Sequence, residues 1–105
     1  MDELLVMLNE MGIPFAYDHF AEGESPEPPF ICYLLPQSDH FSADGKVYYK
    51  ISGVHIELYT DIKDLSVEQK VEAVLDTHGI FYEKSEVWIE SEWLYEVLYT
   101  FEMEV

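Results

Sequence analysis

The last thirteen residues of this chain restrict its fold more than any other segment. Trp93, Tyr95, Val97, Tyr99, Phe101, Met103 and Val105 are apolar at every second position, and Glu96, Thr100, Glu102 and Glu104 stand between them. Side chains repeat with period two only in extended backbone, so the segment predicts a long strand with one face turned to a core. A strand of that length needs neighbours and a covering layer, because isolated strands are not stable in water. Phe81 to Glu90 supplies a preceding strand. Phe30 to Leu35 is apolar on both faces, as a central strand would be, and Phe15 to Phe20 reads as a weaker one.

Two helices are available for the covering layer. Glu3 to Met11 carries Leu4, Leu5, Leu8 and Met11 at helical spacing, with Asp2 as N-cap, Gly12 as stop and Pro14 beyond. The second helix follows a linker, Asp61 to Leu65; Ser66-Val67-Glu68-Gln69 reads as a capping box, and Gly79 closes it. Its stripe is Val67, Val71, Val74, Leu75 and His78, suited to packing on a sheet. Between strands lie a Glu- and Pro-rich connector, Ala21 to Pro29, and a polar loop, Gln37 to Lys46, closing on the turn dipeptide Asp44-Gly45.

Val47 to Thr60 changes phase. Val47, Tyr49 and Ile51 are odd, Val54, Ile56 and Leu58 even, with Ser52-Gly53 at the switch. A β-bulge in one long strand and a two-residue hairpin at Ser52-Gly53 both satisfy this pattern. The elements together predict a single α+β domain over residues 1–105, order α-β-β-β-α-β-β. Two helices pack on one face of a mainly antiparallel sheet of about five strands.

Composition narrows function. The 105 residues include 22 acids against five lysines and no arginine, a formal charge of −17, which excludes most phosphate-gripping nucleic-acid binders. Residues 1–45 hold nine acids and no base, 46–82 six acids and four lysines, and 83–105 seven acids and one lysine. Acidity therefore belongs to the two ends of the chain, which are expected to face a DNA channel or a basic neighbour. The nearly neutral middle is the expected place for subunit contacts. Hydrophobic residues make up 49% and aromatic ones 15%, too many for a disordered acidic tail.

The lone Cys32 lies in an apolar run and reads as a small buried hydrophobe. An acidic N-terminal segment is unlike a signal peptide, and no apolar run reaches the length of a membrane span, so synthesis in the cytoplasm is expected.

Catalytic signals are weak. Glu86, Glu90 and Glu92, or Glu102 and Glu104, have the spacing of acid–base partners, but in so acidic a chain a solvated strand face is the better reading. His55 and Glu57 share one side of a strand, as a metal pair would, without a third ligand at a recognisable spacing. His78 fits a helix C-terminus or a polar edge of the core, and His19 and His40 read as surface residues. No phosphate loop, nucleophile elbow or Walker lysine is present. The expectation is a non-enzymatic protein with no cofactor and no metal. Sixteen aromatic residues point instead to interaction, with Trp88 and Trp93 on or beside the C-terminal hairpin as candidates for an interface.

The stretches His55-Ile56-Glu57-Leu58-Tyr59-Thr60-Asp61, Gly79-Ile80-Phe81-Tyr82-Glu83-Lys84 and Ile89-Glu90-Ser91-Glu92-Trp93-Leu94-Tyr95-Glu96-Val97 resemble small proteins of phages and prophages of Gram-positive bacteria. These are the head–tail joining and tail completion (tail terminator) minor structural proteins. The resemblance implies an α+β fold, no enzymatic activity, a virion location and assembly into a hexameric ring. That ring would contact tail-tube and head-connector proteins, with DNA passing nearby and no membrane involved. It also implies ring contacts through the loop from Gln37 to Lys46, which carries Asp39, His40, Phe41 and Asp44. A second reading, prompted by the charge alone, is an acidic DNA mimic that inhibits a host or phage DNA-binding protein.

Overall fold

A computed structural model describes residues 2–36, 38–43 and 46–104. The elements in chain order are α1 (Asp2–Met11), β1 (Phe15–Tyr17), β2 (Phe30–Leu34), β3 (Ser38–Ala43), β4 (Lys46–Thr60), α2 (Leu65–Thr77), β5 (Glu83–Ile89) and β6 (Leu94–Glu104). The fold is α+β. Five strands form the main path of the sheet in the order β1-β2-β4-β6-β5, and β3 pairs with β4 beside that path. Among the described strands β1 alone runs parallel to its neighbour; the other pairings are antiparallel.

The C-terminal alternation is the spine of the core. Val97, Tyr99, Phe101 and Met103 are buried, opposite Leu58, Ile56, Val54 and Ser52 of β4. Ile31 and Tyr33 of β2 extend the same face. At roughly 1.5–3 kcal/mol for each large apolar side chain removed from water, this row and the helix stripes above it are the main stabilising term. Trp93 departs from the expected alternation. It lies in the turn before β6 with φ 55° and is 76% exposed, so the buried series begins further along. Val105 lies outside the described residues.

In α1 the buried stripe is Leu4, Met7, Leu8 and Met11, whereas Leu5, expected on that stripe, is exposed. The i, i+3, i+4, i+7 spacing from Leu4 selects Met7 rather than Leu5, which lies about 100° round the helix from Leu4. Asp2, expected as the cap, is within the helix. The cap of α2 also differs from expectation. Asp64, not Ser66, is the N-cap, and its Oδ1 accepts from the Ser66 and Val67 amides at 3.1 and 3.2 Å. Glu68, one turn on, points into the protein. Gly79 ends the helix as expected, with φ 71°, a left-handed conformation in which a Cβ is strained.

The polar segment expected as a loop contains a strand. Ser38 to Ala43 pairs with Ser52 to Lys46, and residues 46–50 of β4 pair with β3 alone. Gln37, Asp44 and Gly45, including the expected Asp44-Gly45 turn, lie outside the described residues. Cross-strand hydrogen bonding does not require apolar side chains, which is why the polarity of this segment hid its strand.

The two alternatives for Val47 to Thr60 resolve in favour of one strand. Pairing of β4 with β6 is regular from Ile51↔Glu104 to Thr60↔Tyr95, through Ser52 and Gly53, so these two residues form no turn. The register slip lies further out, between Phe41↔Tyr49 and Ser42↔Val47, which leaves Tyr48 as the extra residue of a bulge. Ile51 follows the regular alternation onto the face away from the helices.

His78, the C-cap residue of α2, ties the helices together. Its Nδ1 is 3.3 Å from Glu3 Oε2 and its Nε2 2.7 Å from Glu10 Oε1. Only imidazolium carries a proton on both nitrogens, so this geometry favours the charged ring. The carboxylates of Glu10 and Glu3 raise its pKa above the ordinary 6.5. A raised folded-state pKa contributes stability that is complete below 6.5 and is lost as pH rises through the folded value. The urea midpoint of the wild type is therefore expected to fall relative to that of His78→Gln as pH rises from 6 to 9. Parallel profiles for the two proteins would contradict this.

Candidate functional site

Both helices lie over one face of the sheet, and the other face is open for much of its extent. The register arranges it in cross-strand rows. Phe30, Tyr59, Glu96 and Val87 form one; Cys32, Glu57, Leu98 and Ser85 the next; Leu34, His55, Thr100 and Glu83 the third. Each row mixes apolar side chains with at least one carboxylate. Downstream of Ile51 no lysine projects onto this face, because Lys84 aligns with Tyr99 on the helix side.

At the centre, the Tyr59 hydroxyl is 2.9 Å from Glu57 Oε1 and 2.9 Å from Glu96 Oε1. A phenol has one proton to donate, so the hydroxyl serves only one of the two carboxylates at a time. Burial raises the Glu57 pKa, against the lowering effect of the Tyr59 hydrogen bond, and the neighbouring Glu96 charge raises it further. Phe30 stacks on Tyr59 with centroids 5.2 Å apart and planes 25° apart, and Phe20 meets Phe30 edge-on at 5.5 Å. The Cys32 thiol beneath is pushed up to about 11 by burial and by Glu57, Asp18 and Glu96. A thiol so rarely ionised is a poor nucleophile, in keeping with its reading as a buried hydrophobe.

Between the connector and the β5–β6 turn these rows border a groove of about 450 Å³. Phe20, Phe30, Tyr59, Ile89 and Leu94 supply its apolar lining, and Asp18 and Glu92 its walls. A second concavity, of about 330 Å³, lies toward the other end of β4, where His55, Glu83 and Glu102 meet Phe81, an aromatic ring 93% exposed.

The sequence-derived candidates are dispersed. Trp88 packs on Tyr95 with centroids 4.7 Å apart and stays 44% exposed; its register partner is on the helix side of the sheet. Trp93 stands at the tip of the same hairpin. Asp39, His40 and Phe41 pair in backbone register with Ile51, Lys50 and Tyr49 along β3, away from that hairpin, and Asp44 lies outside the described residues. Glu86 is on the helix side with Lys63, Glu90 and Glu92 are in the β5–β6 turn, and Glu102 and Glu104 are exposed on the open face. His55 and Glu57 do share a face, and among the described residues no three His, Cys, Asp or Glu side chains converge as a metal site would require.

The Glu57–Tyr59–Glu96 array was not anticipated from sequence. Its signal was present as two interleaved series, the odd residues 55, 57 and 59 and the even residues 96, 98 and 100, but only the register brings them together. Chemically the arrangement offers paired hydrogen-bond acceptors beside aromatic faces, the chemistry that receives a cation with an apolar stem. Neither a protein-family model nor a curated protein sequence matches this chain.

Proposed function

We propose that this chain is a non-enzymatic structural protein of a tailed phage or prophage, a tail-terminator or head–tail joining subunit that assembles into a hexameric ring at the head–tail junction. The observation that carries the reading is the resemblance of His55–Asp61, Gly79–Lys84 and Ile89–Val97 to that family. These stretches fall at the end of β4, at the passage from α2 into β5, and at the β5–β6 turn. The first and third bring Glu57, Tyr59 and Glu96 together on the open face of the sheet, and the second carries the chain from α2 into β5. The −17 charge supports the reading physically, since the wall of a DNA passage functions best when it repels phosphates. Subunits of equal net negative charge also stay apart until a partner organises them.

In this reading the partners are tail-tube and head-connector proteins, and the location is the virion. Asp39, His40, Phe41 and Asp44, with Trp88 and Trp93, are the contact residues. Electron microscopy of particles made without the gene tests it. Tails of uncontrolled length, or heads and tails left unjoined, are the expected result; normal tails joined to heads would refute the assignment.

A further inference from the structure

We propose that the groove between the connector and the β5–β6 turn is a docking site for an arginine-bearing apolar segment of a protein partner. The inference stands on the open sheet face and does not depend on the head–tail reading. Three observations carry it. The groove is apolar where a side-chain stem would lie, with Phe30 and Tyr59 stacked in its lining. Carboxylates surround that lining: Asp18 and Glu92 line the groove, and Glu57 and Glu96 converge on the Tyr59 hydroxyl. No lysine from the described part of this face neutralises Glu57, Glu92 and Glu96, and Asp18 meets the exposed His19 ring at 2.9 Å.

A planar guanidinium matches this set better than an ammonium, because it donates to two carboxylates at fixed geometry while stacking on an aromatic face. It would also supply the donors that one phenolic proton cannot. A second copy of the chain is a poor occupant of a guanidinium site, as the sequence contains no arginine. Nucleic acid is repelled by the same charges. The remaining occupant with complementary chemistry is a protein segment with arginine between apolar residues.

The test is an amide NMR titration of the full chain with acetyl-Leu-Arg-Leu-amide, with acetyl-Leu-Gln-Leu-amide and magnesium chloride as separate probes. Saturable shifts at Phe30, Tyr59 and Glu96 are expected with the arginine peptide. Affinity should be at least about tenfold weaker for the glutamine peptide and in Glu96→Gln, the factor for one charge-assisted hydrogen bond. The glutamine peptide on wild-type protein keeps the test decisive if the variant fails to fold. The proposal is overturned by an absence of saturable shifts, by equal binding of both peptides, or by magnesium reproducing the shifts. Shifts that depend on protein concentration alone would instead assign the face to a second copy. Failure here leaves the gene-deletion phenotype untouched, and normal tails without the gene would leave the groove's affinity intact.

Discussion

Replacing Tyr99 by alanine is expected to lower the free energy of unfolding by about 3–5 kcal/mol, the range for removing a large aromatic side chain from a close-packed interior. A domain of this size has only about 5–15 kcal/mol in total, so the loss is a large fraction of its stability. Tyr99 is fully buried at the middle of β6. Its ring meets Tyr82 edge-on at 5.5 Å, Lys84 Nζ stands 5.9 Å from its centroid, and its hydroxyl donates to Glu72 Oε2 at 2.7 Å. Tyr99→Phe keeps the ring and removes the hydrogen bond, for which about 1–2 kcal/mol is expected, because Glu72 retains Lys84. Urea denaturation of the two variants separates the contributions. Equal losses for Phe and Ala would show that the hydrogen bond, not the packing, anchors α2 on the sheet.

The same residue shows how far the sequence could be read. Tyr99 belongs to a period-two series long enough to define a strand and its inward face without knowledge of any partner, and period 3.6 located both helices, though in α1 the buried residue is Met7 and not the expected Leu5. What escaped were features decided by pairing or by competition between nearby groups. Strand β3 is polar, so it lacks the hydrophobic signature while forming the same backbone hydrogen bonds. Ser66 and Asp64 both suit an N-cap; the structure uses the carboxylate, which reaches two amides and the Ser66 hydroxyl. The Glu57–Tyr59–Glu96 array needed the register of β4 against β6, which no local pattern specifies. Trp88 and Trp93 were legible only as interface candidates beside the hairpin; both are exposed, yet the groove proposed for docking is lined by Phe30 and Tyr59 further along the sheet.

Glu68→Gln is the second change expected to cost the fold heavily, about 2–3 kcal/mol at neutral pH. Glu68 is 2% exposed, and its two oxygens lie 2.7 Å from Lys63 Nζ and 2.8 Å from Lys84 Nζ. Lys63 continues to Glu86 and Lys84 to Glu72, so one chain of charges joins the β4–α2 loop, α2 and β5. Removing one member of a buried pair costs about 3–5 kcal/mol. The lower figure applies because both lysines are more than a third exposed and keep another acid each. Burial alone would raise the Glu68 pKa, but the two lysines outweigh it and hold it below the ordinary 4.5. A depressed folded-state pKa contributes stability present above 4.5 and lost as pH falls through the folded value. The stability gap between wild type and Glu68→Gln should therefore be full at pH 7 and close in acid. A gap that persists unchanged at pH 2 would mean that shape rather than charge is what the site requires. The network also explains the contrast between the two faces of the sheet. Lys63 and Lys84 are both held around Glu68 on the helix side, and among the described residues of the open face no lysine offsets Glu57 and Glu96, which is the condition a basic partner would meet.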